Sequence, residues 1–420
     1  MTLPTIQHIE HILFPKPSVF HFKNGITAYG YSGIENDILR IDFIFNAGRW
    51  TEQIPLQAEF TARLIKSGTA ILNAFEIEEK IDTFGSTVKC DAGNNTVTLS
   101  VYCMHKYLDE TLEIVIDCLN NCNFQQHEID IFKSRKIANL SVSQEKNDYI
   151  ADVLFRKTLF GEMHPYGYET TSEIINKITQ QSLLDYFNTN LIPANCTIFI
   201  AGKYEQKEID IIEKHIGNWN KKSSEKNQIN IPELPVLKDK KIVVKKEKSV
   251  QASIIIGNIS IPRSHEDFPG LVLLNTIFGG YFGSRLMSNI REEKGLTYGI
   301  YSSLSLLKKH AIFSIQTDTN LENKELCLQE IYLEIERLKN ELIPNAEITI
   351  ARNYLLGKYL HRTDGAFNQM ELFKTYYIED VNISKFEDAV ETIRQQDALS
   401  LQRLAQKYFL PDMMLEVVVG

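Results

Sequence analysis

Residues 191–202 read Leu-Ile-Pro-Ala-Asn-Cys-Thr-Ile-Phe-Ile-Ala-Gly, and residues 409–420 read Phe-Leu-Pro-Asp-Met-Met-Leu-Glu-Val-Val-Val-Gly. In both stretches a proline follows a helix-like segment and leads into a short apolar run, typical of a buried strand, that ends at a glycine. The spacing agrees, because 411 − 193 = 218 and 420 − 202 = 218. The two stretches therefore predict that one structural unit occurs twice in the chain.

Other predicted elements recur in the same order along the chain. They are an alternating strand (38–45, then 253–256), a helix (55–67, then 267–278), a second strand (96–101, then 311–315) and an amphipathic helix (108–119, then 328–338). The turn at 92–95 favours antiparallel pairing. We expect an α+β protein with two homologous domains, each a mixed, mostly antiparallel sheet with helices packed on one face.

The domain boundary is predicted from a polar stretch between the two copies. Residues 221–228 read Lys-Lys-Ser-Ser-Glu-Lys-Asn-Gln, and prolines follow at 232 and 235. Such a segment is typical of a linker. We expect domains at 1–222 and 241–420, joined by a linker at 223–240.

Composition excludes several classes of function. The 420 residues are 43% hydrophobic and 24% charged, with a formal net charge of −9, which argues against binding to nucleic acid or to an anionic membrane. No apolar run approaches the length of a membrane span, and residues 1–18 do not read as a secretory signal. The six cysteines include no Cys-x-x-Cys pair and favour buried thiols, so a cytoplasmic location is expected.

The stretch 278–298, FGGYFGSRLMSNIREEKGLTY, carries the candidate chemistry of the second half. Its glycines fit neither a Walker loop nor a dinucleotide loop, so no bound cofactor is predicted. Gly295 should end a helix, which places Arg291 near the end of that helix and Tyr298 at the start of a strand. A guanidinium and a phenol can both donate to a peptide carbonyl. The residues alone leave open a surface arginine and a core tyrosine without function.

The same stretch resembles a family signature. Gly-Gly-x-x-x-Ser-Arg-Leu at 279–286, followed by Arg-Glu-x-x-Gly-Leu-x-Tyr at 291–298, resembles the C-terminal-domain motif of the insulinase/pitrilysin-type zinc peptidases, the inverzincins. Residues 22–26, 46–49 and 164–167 are similar to first-half motifs of that family. The resemblance implies a mitochondrial-processing-peptidase-like metallohydrolase fold, in which Arg291 and Tyr298 bind the substrate carbonyl.

The zinc motif of that family, His-x-x-Glu-His, occurs nowhere in the chain. Aligned on the Gly-Thr pair that follows the zinc helix in the family, the zinc-site positions hold other residues: Glu59 and Arg63 for the two histidines, Ala62 for the general base, and Asn139 or Leu140 for the later glutamate. None of these can rebuild a site of imidazoles, carboxylate and base. Glu59 and Arg63, four residues apart on one helix, can pair with each other, or both can be ordinary solvent-facing residues.

The resemblance therefore implies half of a peptidase site. The chain is expected to be inactive alone and to bind no metal, as the substrate-binding subunit of a heterodimeric peptidase that cleaves unfolded peptides in a clamshell cavity. A homologous partner with the His-x-x-Glu-His motif would hold the zinc. Because residues 278–283 are shorter than the glycine-rich loop of the mitochondrial zinc-free subunits, a bacterial-type role is expected. The alternatives are an inactive assembly or binding protein, like respiratory-complex core subunits, and, more remotely, a self-sufficient zinc enzyme.

Overall fold

A computed structural model describes residues 11–33, 37–222, 233–237 and 239–420. The strands are β1 Ser18–His21, β2 Thr27–Ser32, β3 Ile38–Phe45, β4 Thr87–Ala92, β5 Val97–Met104, β6 Cys196–Gly202, β7 Lys241–Val244, β8 Gln251–Ser260, β9 Thr297–Leu306, β10 Ala311–Asn320 and β11 Leu415–Val419. The α-helices are α1 Gln57–Arg63, α2 Ala74–Thr83, α3 Leu108–Asn121, α4 Gln126–Gln144, α5 Asn147–Phe160, α6 Ser172–Lys177, α7 Gln180–Asn190, α8 Gln206–Ile216, α9 Phe268–Asn275, α10 Lys324–Asn340, α11 Asn345–Arg362, α12 Gly365–Ile378, α13 Ser384–Gln395 and α14 Ala398–Tyr408. Short 3₁₀ turns cover Arg49–Thr51, His105–Tyr107, Pro193–Asn195, Leu321–Asn323 and Pro411–Met413, and π-helical segments cover Thr276–Gly280 and Met287–Glu293.

Sheet topology confirms the predicted α+β class and its duplication. The first sheet has the order β1-β2-β6-β3-β5-β4, and the second has the order β7-β11-β8-β10-β9. Each sheet has one parallel pair among the described strands, β2 with β6 and β7 with β11, and the other pairs are antiparallel. The second sheet thus repeats the first, without a counterpart of β1.

The two stretches that predicted the duplication adopt the same conformation. Pro193–Asn195 and Pro411–Met413 each form one 3₁₀ turn and lead directly into β6 and β11. Two predicted helices differ at their ends. The helix expected at 55–67 covers only Gln57–Arg63, and it begins after Leu56 because that residue has a left-handed backbone, with φ 79°. The helix expected at 267–278 passes from α9 into the π-helical segment Thr276–Gly280.

Alternate residues of the central strands face two different cores. In β3, Leu39, Ile41 and Phe43 pack with the helices of the first half, whereas Ile44 faces a core built mainly from the second half. This is the period-two alternation expected of a strand that is buried on both faces. Each sheet therefore carries its own helices on one face and is also covered on the other.

The second face of each sheet is covered by a helix from the other half of the chain. Helix α5 of the first half packs Ala151 and Phe155 against Leu415 and Val417 of β11 in the second sheet. Conversely, α12 of the second half lies on β2 and β6 of the first sheet.

In that second contact the Phe373 ring centroid lies 5.0 Å from that of Tyr29 and 6.0 Å from that of Phe199. The face of each sheet that its own helices leave open is thus closed by one helix from the other half.

The predicted linker lies largely outside the described residues, which omit 223–232 and 238. The boundary at 222 and 241 remains a prediction, between the end of α8 at Ile216 and the start of β7 at Lys241. Among the helices of the described ranges, none combines the length and the apolarity needed to cross a membrane.

Candidate functional site

Arg291 lies in a wide helical turn that directly precedes strand β9. It belongs to the π-helical segment Met287–Glu293, and the Leu296 N–H closes that segment by donating to the Ile290 carbonyl at 3.0 Å. Gly295 has φ +62°, the left-handed backbone that lets the chain leave a helix. Strand β9 then begins at Thr297. The predicted order of helix end, glycine and strand start is confirmed.

Cations near Arg291 are paired, whereas Arg291 is not. Arg285 makes a two-point contact with Glu347, at 2.7 Å from Nε and 2.9 Å from Nη2, and Lys294 pairs with Glu330. The contact with Lys294 lowers the pKa of Glu330 below its ordinary value. Within the described ranges, the guanidinium of Arg291 meets no carboxylate. It lies instead over the Phe282 ring, with Cζ 4.9 Å from the ring centroid.

Tyr298 is not a core residue, so the alternative of a tyrosine buried at the start of the strand is wrong for this position. Its side chain is 93% exposed, although its neighbour Ile300 on β9 is fully buried. A β-bulge between Thr317 and Thr319 interrupts the pairing of β10 with β9 opposite this point. Bulges redirect side chains at strand ends. The phenol and the unpaired guanidinium of Arg291 therefore both remain available to a ligand.

Three of the four residues that were predicted to occupy degenerate zinc-site positions line one cleft. Glu59, Arg63 and Asn139 border a cavity of about 430 Å³ formed by α1, α4 and α5. Ala62 is buried, with 2% exposure, and packs into the first-half core instead. Leu140, the alternative to Asn139, also lines the cleft. The structure thus brings together residues that are 80 positions apart in sequence, since 139 − 59 = 80.

The expected pairing of Glu59 with Arg63 is wrong. Glu59 accepts from Lys136 Nζ on α4 at 2.6 Å, and Arg63 contacts Asp91 at the end of β4 at 3.0 Å. The sequence predicted a contact within one helix, but tertiary neighbours supply both partners. Nor is Glu59 an ordinary solvent-facing residue, because this ion pair holds it at the wall of the cleft.

These residues do not fit a zinc ion. A zinc site needs neutral imidazole, thiolate or carboxylate ligands in tetrahedral array. Here one position is a guanidinium, one an amide and one a buried methyl group, and the remaining carboxylate is bound to an ammonium. Across the part of the chain that the structure describes, no three His, Cys, Asp or Glu side chains are grouped so as to hold a metal.

Comparisons with known proteins show the family of the chain. Residues 49–166 match the profile described as "Insulinase (Peptidase family M16)", and residues 177–355 match the one described as "Peptidase M16 inactive domain". The chain belongs to the insulinase (M16) family. The two matches meet near residue 170, so the M16 assignment extends over both halves.

Relatives of full length support the M16 assignment. The chain is 23% identical to the "Uncharacterized zinc protease YmxG" of Bacillus subtilis, covering 88% of this chain and 89% of that protein. It is also 23% identical to the "Non-peptidase homolog YmxG" of Helicobacter pylori, covering 82% and 80%. The crystal structure of a peptidase M16 inactive domain from Pseudomonas fluorescens has the same fold, with a TM-score of 0.86 at 21% identity over 96% of this chain and 98% of that one.

Sequence reasoning missed the charge of the cleft in this M16 chain. Arg49, Arg135, Lys136 and Arg156 line it together with Arg63. Part of the signal was available, since Arg135 and Lys136 precede Asn139 and Leu140 by four residues each and so share a helix face with them. The contributions of Arg49, from the turn after β3, and of Arg156, from α5, depend on tertiary packing and have no local signal.

Proposed function

We propose that this M16 chain is the non-zinc, substrate-binding subunit of a heterodimeric metallopeptidase. The observation that carries the proposal is that Arg291 has no carboxylate partner among the described residues, while Tyr298, seven positions on (298 − 291 = 7), is 93% exposed. If Arg291 had only a structural role at the helix end, we would expect it to form an ion pair with a carboxylate, as Arg285 does with Glu347. An arginine and a tyrosine kept free beside a glycine turn suit the binding of a peptide carbonyl.

In this proposal the chain contributes binding and polarisation. Arg291 donates to the carbonyl oxygen of the scissile bond, and the Tyr298 hydroxyl donates to the same oxygen as it gains negative charge. Phe282, 64% exposed, supports the guanidinium from one side through its ring. A homologous subunit that carries His-x-x-Glu-His would supply the zinc, with its bound water and general base, because the positions at Glu59, Ala62 and Arg63 cannot.

The substrate class and location follow from the same reasoning. An unfolded peptide is proposed because an exposed tyrosine and arginine can contact a backbone carbonyl only where that carbonyl is not already hydrogen-bonded within a fold. A cytoplasmic location is proposed because all six cysteines are free thiols in buried positions.

The test is reconstitution with a partner. The chain is co-expressed with a paralogue that contains His-x-x-Glu-His, and cleavage of a quenched fluorogenic peptide is measured for each chain and for the mixture. We expect activity only in the mixture. Arg291→Ala should lower kcat/KM by roughly 10²–10³-fold and Tyr298→Phe by about tenfold or more, since each removes a donor to the oxyanion. Arg403→Gln, an exposed arginine on α14, is the charge-matched control.

Two outcomes would reject the proposal. One is full cleavage by this chain alone, which would mean a self-sufficient enzyme. The other is a mixed complex whose activity does not change with Arg291→Ala. Recovery of the chain in a large assembly without peptidase activity would support the alternative of an inactive assembly protein.

A further inference from the structure

We propose that the cleft at the former zinc position is a binding site for a carboxylate of the peptide, either the α-carboxylate of its C-terminus or an acidic side chain. The inference rests on the proposed function in one respect only, that the ligand is a peptide. The site itself is argued from the residues of the cleft. It lies in the first half of the chain and does not include Arg291 or Tyr298.

The cleft is strongly cationic in an acidic protein. Its lining includes five cationic side chains and one carboxylate, that of Glu59, whereas the whole chain has a formal net charge of −9. Low-dielectric walls focus the potential of such a cluster into the cavity. A ligand that enters this cleft is therefore selected for negative charge.

Three of the cations are already engaged. Lys136 contacts Glu59 at 2.6 Å. Arg63 is held by Asp91 at 3.0 Å, and Arg156 by the carboxylate four residues before it at 2.8 Å. The last two carboxylates are not part of the lining, so they hold their arginines from outside the cavity.

Two guanidiniums in the lining make no ion pair and no hydrogen bond with a carboxylate of the described residues. Arg135, on α4, has no hydrogen-bond or ion-pair partner among the described residues. Arg49 lies over the Tyr168 ring, with Cζ 5.0 Å from the ring centroid. Glu52 is close to Arg49, but its carboxylate accepts from the Ala58 N–H at 2.9 Å and from the Tyr168 hydroxyl at 3.4 Å, not from the guanidinium.

The chemistry of these groups favours a carboxylate on a peptide. A guanidinium presents a planar fork of donors that matches the two oxygens of a carboxylate. Phe132 and Tyr149 add aromatic walls, and Asn139 offers an amide that can bond a peptide group. A volume of about 430 Å³ is in the range of small-molecule sites and accommodates a terminal residue with part of its neighbour.

Calorimetric titration of the isolated full-length chain at low salt tests the inference. The probes are an N-acetylated, alanine-rich hexapeptide with a free C-terminal carboxylate, the same peptide amidated, and the amidated peptide with one internal glutamate. We expect the neutral amidated peptide to bind at least about tenfold more weakly than one or both of the charged peptides. Tight binding of the free-acid peptide would identify the C-terminal α-carboxylate as the ligand, and tight binding of the glutamate peptide would identify an acidic side chain. Sodium sulfate is titrated as a fourth probe.

Variants connect the affinity to the cleft. Arg49→Gln and Arg135→Gln should each raise the Kd of the charged peptide about tenfold, because each removes a charge-assisted contact. Arg135→Lys should give an intermediate value, since it keeps the charge and loses the fork. Arg403→Gln should leave the Kd unchanged. Neither Arg49 nor Arg135 holds an ion pair, so circular dichroism should show folded variants.

Equal binding of the neutral and charged peptides, or a Kd that does not respond to either arginine variant, would overturn the inference. Sulfate binding as tightly as the best peptide would also overturn it, in favour of a simple anion site. Since no partner and no cleavage are involved, carboxylate binding without reconstituted activity would reject only the proposed function, and activity without carboxylate preference would reject only this inference.

Discussion

Lys374 on α12 and Asp42 on β3 form a buried ion pair that joins the two halves of the chain, with Nζ 2.7 Å from Oδ2. The Asp42 side chain is fully buried and also accepts two hydrogen bonds from Arg40, at 2.9 and 2.7 Å. Glu371 on α12 contacts both cations from the other side. Two acids and two bases are thus matched within one small cluster under α12.

The first prediction concerns this cluster. Asp42→Ala should lower the free energy of unfolding by about 3 kcal/mol, because it leaves Lys374 and Arg40 with only Glu371 as a partner. Asp388→Ala is the matched control, because its pair with Lys385 is 65% and 62% exposed and should contribute less than about 0.5 kcal/mol. Urea unfolding followed by circular dichroism measures both. Equal effects of the two substitutions would contradict the role assigned to Asp42.

A second prediction separates backbone strain from steric fit at Gly295. A Cβ there would meet no atom within 4 Å, but φ is +62°. Gly295→Ala should therefore cost about 1–2 kcal/mol from left-handed strain alone, and Gly295→Asn should cost less, since asparagine tolerates this region. Gly299→Ala, also free of close contacts and without positive φ, is the control. In the reconstituted complex, only the Gly295 variants should lower kcat/KM. A larger loss of stability or of kcat/KM for Gly299→Ala than for Gly295→Ala would show that the strain argument is wrong.

A third prediction concerns metal binding. The wild-type chain should purify without stoichiometric zinc, as measured by elemental analysis. Glu59→His, Arg63→His and Asn139→Glu together introduce three ligands, two imidazoles and one carboxylate, but Lys136 would still place an ammonium beside the ion. Adding Lys136→Met should then raise zinc affinity by about tenfold or more, because it removes a like charge from the site. Tight zinc in the wild-type protein would contradict the assignment of this cleft as a degenerate site.

A fourth prediction concerns pH. Burial raises the pKa of Glu52 from 4.5 to about 7, and the charge of Glu59 contributes to this rise. The Ala58 N–H and the Arg49 charge act in the opposite direction. Because the folded-state value lies above the unfolded one, the native state binds more protons between these values. The contribution of Glu52 to stability is therefore complete below about pH 4.5 and is lost as the pH rises through 7.

The measurement is a comparison of urea midpoints with Glu52→Gln across that pH range. The glutamine variant should gain stability relative to wild type as the pH rises from 4.5 to 7 and keep a constant difference above it. Glu113→Gln, which removes an exposed carboxylate on α3, should show no such trend. A constant offset between wild type and Glu52→Gln over the whole range would refute the raised pKa.

Sequence alone could predict what depends on local pattern. The duplication, the strand at Ile38–Phe45 and the order of helix end, Gly295 and strand start all follow from periodicity and from proline and glycine placement. The motif around Arg291 and Tyr298 predicted the family, and the family-model matches confirm it. Glu59, Arg63 and Asn139 were assigned to the zinc-site positions from family spacing, not from physical pattern, and the structure places all three around one cleft.

What could not be predicted depends on contacts between distant segments. Glu59 and Arg63 have the spacing of a helix pair, yet Lys136 and Asp91 are nearer, and only the packing of α4 and β4 reveals this. The exposure of Tyr298 depends on a bulge that the sequence does not mark. Asp42 and Arg40 are the two charged residues of strand β3, and the other partner of Asp42, Lys374, is 332 residues away.

The reciprocal placement of α5 and α12 has a mechanical consequence. Each half supplies a helix that covers the sheet of the other half. Proteolytic cleavage of the connecting segment would therefore leave the two halves associated. Either half produced alone would expose an apolar sheet face to water. Co-expressed fragments should instead reassemble. Separation of the halves would expose both of these sheet faces. Under the proposed function, a peptide would therefore enter between the two subunits and not between the two halves of this chain.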